Sequence, residues 1–207
     1  YAIGKMHGNV AMLGMVGQDT YGERLCENLE NVGVDVSRVR RLSGVSTGIA
    51  VIGVIPEGDN SILVVSGANA YVDKSYITEN MDLLEASDII VVQLEIPLET
   101  VMYAVKEARK RGKTVILDPA PAVPDLPDEL FACVDVIKPN ETELAKVAGM
   151  PTETIPEITA AAEALLQRGV GNVLVTVGSR GALLCNRNGS HLYPAYPQKA
   201  VDTTAAG

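Results

Sequence analysis

The sequence predicts an α/β fold in which a mainly parallel sheet, covered on both faces by helices, carries a small antiparallel sheet as an insertion. Three observations predict it. Continuous apolar runs alternate with stretches of helical apolar spacing over most of the chain, the pattern of strands buried between two helical layers. Between residues 34 and 67 this alternation gives way to β-branched runs around a turn-forming stretch. With 207 residues and 47% hydrophobic content, the chain can bury one substantial core and a small appendage, not two full domains.

Residues 1–33 read as the start of the core. The run 10–16 is a strand, and Asp19 caps a helix whose apolar positions Leu25, Leu29 and Val32 recur at helical spacing until Gly33 stops it. Within 34–67, the runs 47–55 and 61–65 flank Pro56-Glu57-Gly58-Asp59-Asn60, as in an antiparallel hairpin. A projecting flap of this kind serves as a lid beside a ligand cleft, or as an edge extension or dimer contact.

The core resumes over 68–207, with strands at 88–94, 114–117, 134–137 and 173–177. A helix at 97–111 opens on Pro97, whose missing donor would be unpaired there anyway, and ends at Gly112. Helices follow at 140–148 and 158–168. The strand 182–185 turns through Asn186-Arg187-Asn188-Gly189 into a partner at 191–193. The segment opens inside what reads as a helix and closes on a loop that should introduce another element, so further chain is expected on both sides.

Composition narrows the function. A net charge of −9 argues against a nucleic-acid partner, whose phosphates are bound by clustered cations. No apolar run approaches the roughly 18 residues of a membrane span, and no signal peptide is evident, so a cytoplasmic protein with no membrane partner is expected. Cys26, Cys133 and Cys185 are odd in number and far apart, which reads as buried thiols. His7 and His191 have no partner at metal-ligand spacing. Neither a Walker A pattern nor a strand followed by G-x-G-x-x-G is present.

In mainly parallel sheets, ligands bind beyond the carboxyl ends of the strands, which selects the loops to read. Asn140 and Glu143 are three apart, so both can face one spot on a helix's first turn; the same pair also reads as a capping box. Gly178 and Gly181 let the backbone approach a nucleotide while Thr176 and Ser179 offer hydroxyls, and the same stretch also reads as a plain turn. Arg180 beside them can meet a phosphate or water. Glu95 ends an apolar strand, where its carboxylate can accept from sugar hydroxyls or cap the helix after it. The small residues Ala205, Ala206 and Gly207 let backbone amides point inward at a helix start, making an anion hole for a phosphoryl group in flight.

Asp202-Thr203-Thr204-Ala205-Ala206-Gly207 resembles the D-T-x-A-A-G-D signature of the ribokinase (pfkB) family of carbohydrate kinases. Lys138-Pro139-Asn140-Glu141-Thr142-Glu143 resembles its P-N-x-x-E motif, and Thr176-Val177-Gly178-Ser179-Arg180-Gly181 its T-x-G-x-x-G turn. Gly67-Ala68-Asn69-Ala70, Gln93-Leu94-Glu95 and Asp118-Pro119-Ala120-Pro121 resemble the ribose-phosphorylating branch. The resemblance implies a ribokinase-like three-layer α/β/α fold with a β lid that closes on ATP and sugar and pairs across a homodimer.

It further implies ATP-dependent phosphorylation of D-ribose at its 5-hydroxyl. Another family kinase, acting on 2-deoxyribose, fructose or a nucleoside, is an alternative, as is a non-catalytic binding module. Asn140, Glu143, Thr176, Gly178, Ser179 and Gly181 would meet ATP, and Glu143 would hold Mg²⁺ through water. Glu95 would meet the sugar. Asp202 and the carbonyl of Thr204 would form a monovalent-cation site for K⁺, with a loop-bracing aspartate as the other reading. Ala205, Ala206 and Gly207 would form the anion hole. The catalytic Asp is expected immediately after Gly207, and the family's G-G-K-G-A-N sugar motif immediately before Tyr1.

Overall fold

The computed structural model describes residues 1–54 and 60–196. Two compact units compose it, one of residues 1–80 with 95–100 and one of 81–94 with 101–207.

The first unit contains α1 (Ala2–Lys5), β1 (Val10–Ala11), β2 (Met15–Gly17), α2 (Thr20–Glu30), β3 (Val34–Asp35), β4 (Arg40–Leu42), β5 (Ile49–Val54), β6 (Asn60–Val65) and α3 (Lys74–Glu79). The single strand expected over 10–16 is two short ones, with β1 parallel to β3 and β2 parallel to β4. The break falls before β2, where the Gly14 N–H donates to the hydroxyl of buried Tyr76 at 2.9 Å. That hydroxyl also lies 2.7 Å from the Arg38 carbonyl, tying the two segments through a side chain rather than a continuous ladder.

Asp19 caps α2 as expected: its Oδ1 accepts from the Gly22 N–H at 2.8 Å. Its carboxylate also accepts from the Thr47 hydroxyl at 2.6 Å and the Thr47 N–H at 2.7 Å, which holds its pKa below the ordinary value. The helix buries Gly22 and Cys26, while Leu25, expected inside, is exposed. A Cβ at Gly22 would stand 2.5 Å from the Gly17 carbonyl, so α2 presses this face onto the end of β2.

β5 and β6 form the expected hairpin, in register from Ile49↔Val65 to Val54↔Asn60. Turn residues 55–59 lie outside the described residues. Elsewhere in 34–67, β3 and β4 pair with β1 and β2 and not with the hairpin.

The second unit contains α4 (Met81–Ala86), β7 (Ile89–Val92), α5 (Leu98–Lys110) from Val101 on, β8 (Thr114–Leu117), α6 (Asp128–Phe131), β9 (Val136–Ile137), α7 (Glu141–Ala148), α8 (Ile155–Gln167), β10 (Asn172–Thr176), β11 (Ala182–Asn186) and β12 (Gly189–Tyr193). Its six strands lie in the order β7-β8-β9-β10-β11-β12. The first four are parallel, and β11 and β12 add an antiparallel edge. The 3.6-residue spacing of Ile158, Ala161, Ala162 and Leu165 turns one side of α8 onto β10 and β11, and all four are fully buried. Val115, Leu117, Ile137, Val173, Val175, Leu183 and Cys185 fill the sheet's inner face. Each large aliphatic chain buried there contributes about 1.5–3 kcal/mol.

Coverage of both faces, as the apolar runs imply, is not complete among the described residues: Ile89 and Val91 on the other face of β7 are 53% and 54% exposed. Cys26 and Cys185 are buried free thiols, while Cys133 is only half-buried. No helix among the described residues is long and apolar enough to cross a membrane.

Candidate functional site

Asn140 begins the site. β9 ends at Ile137, and the chain runs through Lys138-Pro139 to Asn140, the N-cap of α7. This connection stays beside β10, because the Thr176 N–H donates to the Pro139 carbonyl at 3.0 Å and Asn140 and Thr176 form a parallel bridge. The carboxyl ends of two parallel strands and the start of a helix therefore meet at one place, as the parallel-sheet rule anticipates.

At that place the helix's free N–H groups are served by side chains. Asn140 Oδ1 accepts from the Glu143 N–H, and Glu143 Oε2 accepts from the Asn140 N–H, each at 2.8 Å. The capping-box reading of this pair is thus present, and it occupies one of the two Glu143 carboxylate oxygens.

After Thr176 the chain makes a short 3-10 turn over Gly178–Arg180, closed by the Val177 N–H donating to the Gly181 carbonyl at 2.9 Å. Gly178 has φ +54 and Gly181 φ +110, conformations that side chains rarely adopt. The two glycines differ in their surroundings. A Cβ on Gly178 would meet nothing within 4 Å, whereas one on Gly181 would stand 1.9 Å from the Tyr193 carbonyl and 2.7 Å from the Ala195 nitrogen. Gly181 lets the turn lie directly against the exit of β12.

Asn140, Glu141, Thr142, Thr176, Gly178, Gly181 and Ala195 line an open recess of about 490 Å³. Glycine, alanine and threonine make up most of its lining, so a ligand can approach backbone and hydroxyl groups closely. Across its edge, the Arg180 guanidinium pairs with the Glu141 carboxylate, both about one-third exposed. Just beyond the carboxyl ends of β8 and β9, Lys138 lies 3.5 Å from Asp118.

Of the nucleotide residues read from sequence, Asn140, Thr176, Gly178 and Gly181 come together in the recess. Glu143, three residues beyond Asn140 on α7, is not among the lining residues, and Ser179 sits exposed in the glycine turn. Glu95 lies in the bend after β7, exposed, and belongs to the first unit. Asp202, Thr204, Ala205, Ala206 and Gly207 lie outside the described residues. No three His, Cys, Asp or Glu side chains converge on a metal position among the described residues. Sequence reading did not single out Glu141, Thr142 or Ala195 as lining residues. The first two sit inside the P-N-x-x-E loop, and Ala195 carries no local signal because the exit of β12 delivers it.

A family model described as pfkB family carbohydrate kinase matches residues 1–207. A deoxyribokinase of Salmonella typhi is 40% identical over 207 residues, all of this chain and 67% of the relative. A ribokinase of Schizosaccharomyces pombe is 40% identical over 202 residues, 96% of this chain and 63% of the relative. Among solved structures, that of Arabidopsis thaliana ribokinase complexed with ribose and ATP matches at a TM-score of 0.91 and 32% identity, over 99% of this chain and 67% of that one.

Proposed function

Because this chain belongs to the pfkB family of carbohydrate kinases, we propose that it transfers the γ-phosphoryl group of ATP to the 5-hydroxyl of D-ribose. The observation that carries the nucleotide half of this reading is the recess where the capped start of α7 meets the glycine turn after β10. Asn140, Glu143, the Thr176 and Ser179 hydroxyls and the close-approaching backbone at Gly178 and Gly181 are assigned to ATP.

The Glu143 oxygen that does not accept from the Asn140 N–H suits a water on Mg²⁺, a cation that keeps much of its hydration and is held through one or two carboxylates plus phosphate oxygens. When bound, it would neutralise charge on the phosphates. Asp202 and the Thr204 carbonyl are assigned to K⁺, and the amides of Ala205, Ala206 and Gly207 to the charge on the transferring phosphoryl group. Glu95 is assigned to sugar hydroxyls. The acceptor hydroxyl loses its proton to a base, attacks phosphorus in line and releases ADP.

The hairpin β5–β6 is assigned to a lid that excludes water. Its apolar residues stand on both faces: Val51 and Leu63 on one are 57% and 67% exposed, Ile52 and Ile62 on the other 46% and 54%. A lid alone needs one apolar face, so the second supports pairing with another copy of the chain. The cytoplasm is the compartment where ATP would be available.

A second acceptor, 2-deoxy-D-ribose, is favoured by the equal 40% identity to the Salmonella deoxyribokinase. ADP release by the intact protein with Mg²⁺ and K⁺, offered D-ribose, 2-deoxy-D-ribose, fructose and adenosine separately, tests both. Preference for D-ribose is expected. Preference for 2-deoxy-D-ribose selects the second acceptor, and silence with all four despite ATP binding selects a non-catalytic binding protein.

A further inference from the structure

Among the described residues that line the recess, Glu141 carries the only charge, a carboxylate placed where an anionic ligand is expected. A negative charge there opposes a polyphosphate unless something neutralises it. Arg180 does so: from the turn between Gly178 and Gly181 it reaches the Glu141 carboxylate across 39 residues of sequence. The two lie on the two elements that bound the recess, α7 and the glycine turn.

We propose that Arg180 is a polyphosphate-binding residue whose availability Glu141 governs. Without nucleotide, the ion pair masks both charges and joins the two sides of the recess. With nucleotide, the guanidinium turns some of its five donors to phosphate oxygens, and Glu141 competes with the ligand for it. Both side chains keep about one-third of their surface exposed, so the exchange requires no buried charge to be uncovered. The device makes affinity depend on the phosphates of the ligand and not on its base or sugar. This inference rests on the kinase reading, since it takes the recess to be the nucleotide site.

The test is displacement of a fluorescent ATP analogue by ATP and by adenosine, on the intact protein and its Arg180→Ala, Arg180→Lys, Glu141→Gln and doubly substituted forms. Arg180→Ala should weaken ATP about tenfold and leave adenosine unchanged, with Arg180→Lys recovering part of the loss. Glu141→Gln should strengthen ATP about threefold, and that gain should vanish when Arg180 is also Ala, a non-additive result for a coupled pair. Equal losses for ATP and adenosine, or weaker ATP binding by Glu141→Gln, would make the pair a structural tie and overturn the proposal. If the analogue binds the unsubstituted protein but no variant changes its affinity, this inference falls alone. If it does not bind the unsubstituted protein, the kinase reading falls and the inference with it.

Discussion

At the start of α7, Asn140 and Glu143 exchange hydrogen bonds of 2.8 Å each; at the start of α8, Thr154 and Glu157 exchange bonds of 3.4 and 2.8 Å. Both are capping boxes of the second unit, and both satisfy N–H groups that a helix cannot satisfy itself. Their neighbourhoods differ. α7 begins beside the carboxyl end of β10, bridged to Thr176 and facing the Gly178–Gly181 turn, whereas the cap of α8 is exposed and lines no part of the recess. A capping box therefore says where a helix begins. What surrounds it decides whether that beginning can also receive an anion.

The most direct way to break this contrast is to remove the turn and leave the cap of α7 alone. Gly181→Ala puts a Cβ 1.9 Å from the Tyr193 carbonyl in a backbone conformation unfavourable to alanine, so turn and strand exit must separate. The strain and overpacking should each cost about 1–3 kcal/mol, and ATP affinity should fall by at least tenfold. Gly178→Ala, with nothing within 4 Å of the new Cβ, should cost only about 1–2 kcal/mol of left-handed strain. Thermal melts and titration with an ATP analogue check both. Equal behaviour of the two variants would mean that the Gly181 contact does not shape the recess.

A smaller effect separates the two caps themselves. Asn140→Ala and Thr154→Ala should each lose about 1 kcal/mol of stability, since each deletes an N-cap acceptor. Only Asn140→Ala should also raise the KM for ATP, by about tenfold with the acceptor KM little changed. If Thr154→Ala raises it equally, nucleotide affinity is following global stability and the contrast between the helix starts is void.

The sequence makes the second unit legible because its strands are short apolar runs separated by helices with clear punctuation. β8 lies at 114–117 as read, and Asn140 and Gly149 bound α7. The first unit is harder to read, because long-range contacts decide its local structure. Tyr76 takes the Gly14 N–H from 62 residues away, and the Thr47 hydroxyl reaches the Asp19 carboxylate from 28 residues away; no local window of sequence contains either pair. The same division runs through the site. Asn140, Thr176, Gly178 and Gly181 were readable from strand-end loops, but the pairing of Glu141 with Arg180 and the arrival of Ala195 depend on how α7, the turn and β12 assemble.

Acid sharpens the comparison by the least amount. The Thr154 N–H and hydroxyl at the start of α8 favour the ionised Glu157, holding its pKa below the ordinary 4.5. Around and below that value the unfolded chain binds this proton more readily than the folded one. Its stabilising contribution is therefore complete above the unfolded pKa and is lost as the pH falls through the lowered folded value. Glu157→Gln keeps an acceptor for the Thr154 N–H but removes the titration. The unsubstituted protein should accordingly melt slightly higher than the variant at neutral pH, and the gap should close as the pH drops below 4.5. Nucleotide affinity at neutral pH should be the same in both, because this cap lines no part of the recess. A gap that stayed constant with pH would mean that the carboxylate charge does not support α8, and a loss of ATP affinity in Glu157→Gln would tie the second helix start to the recess after all.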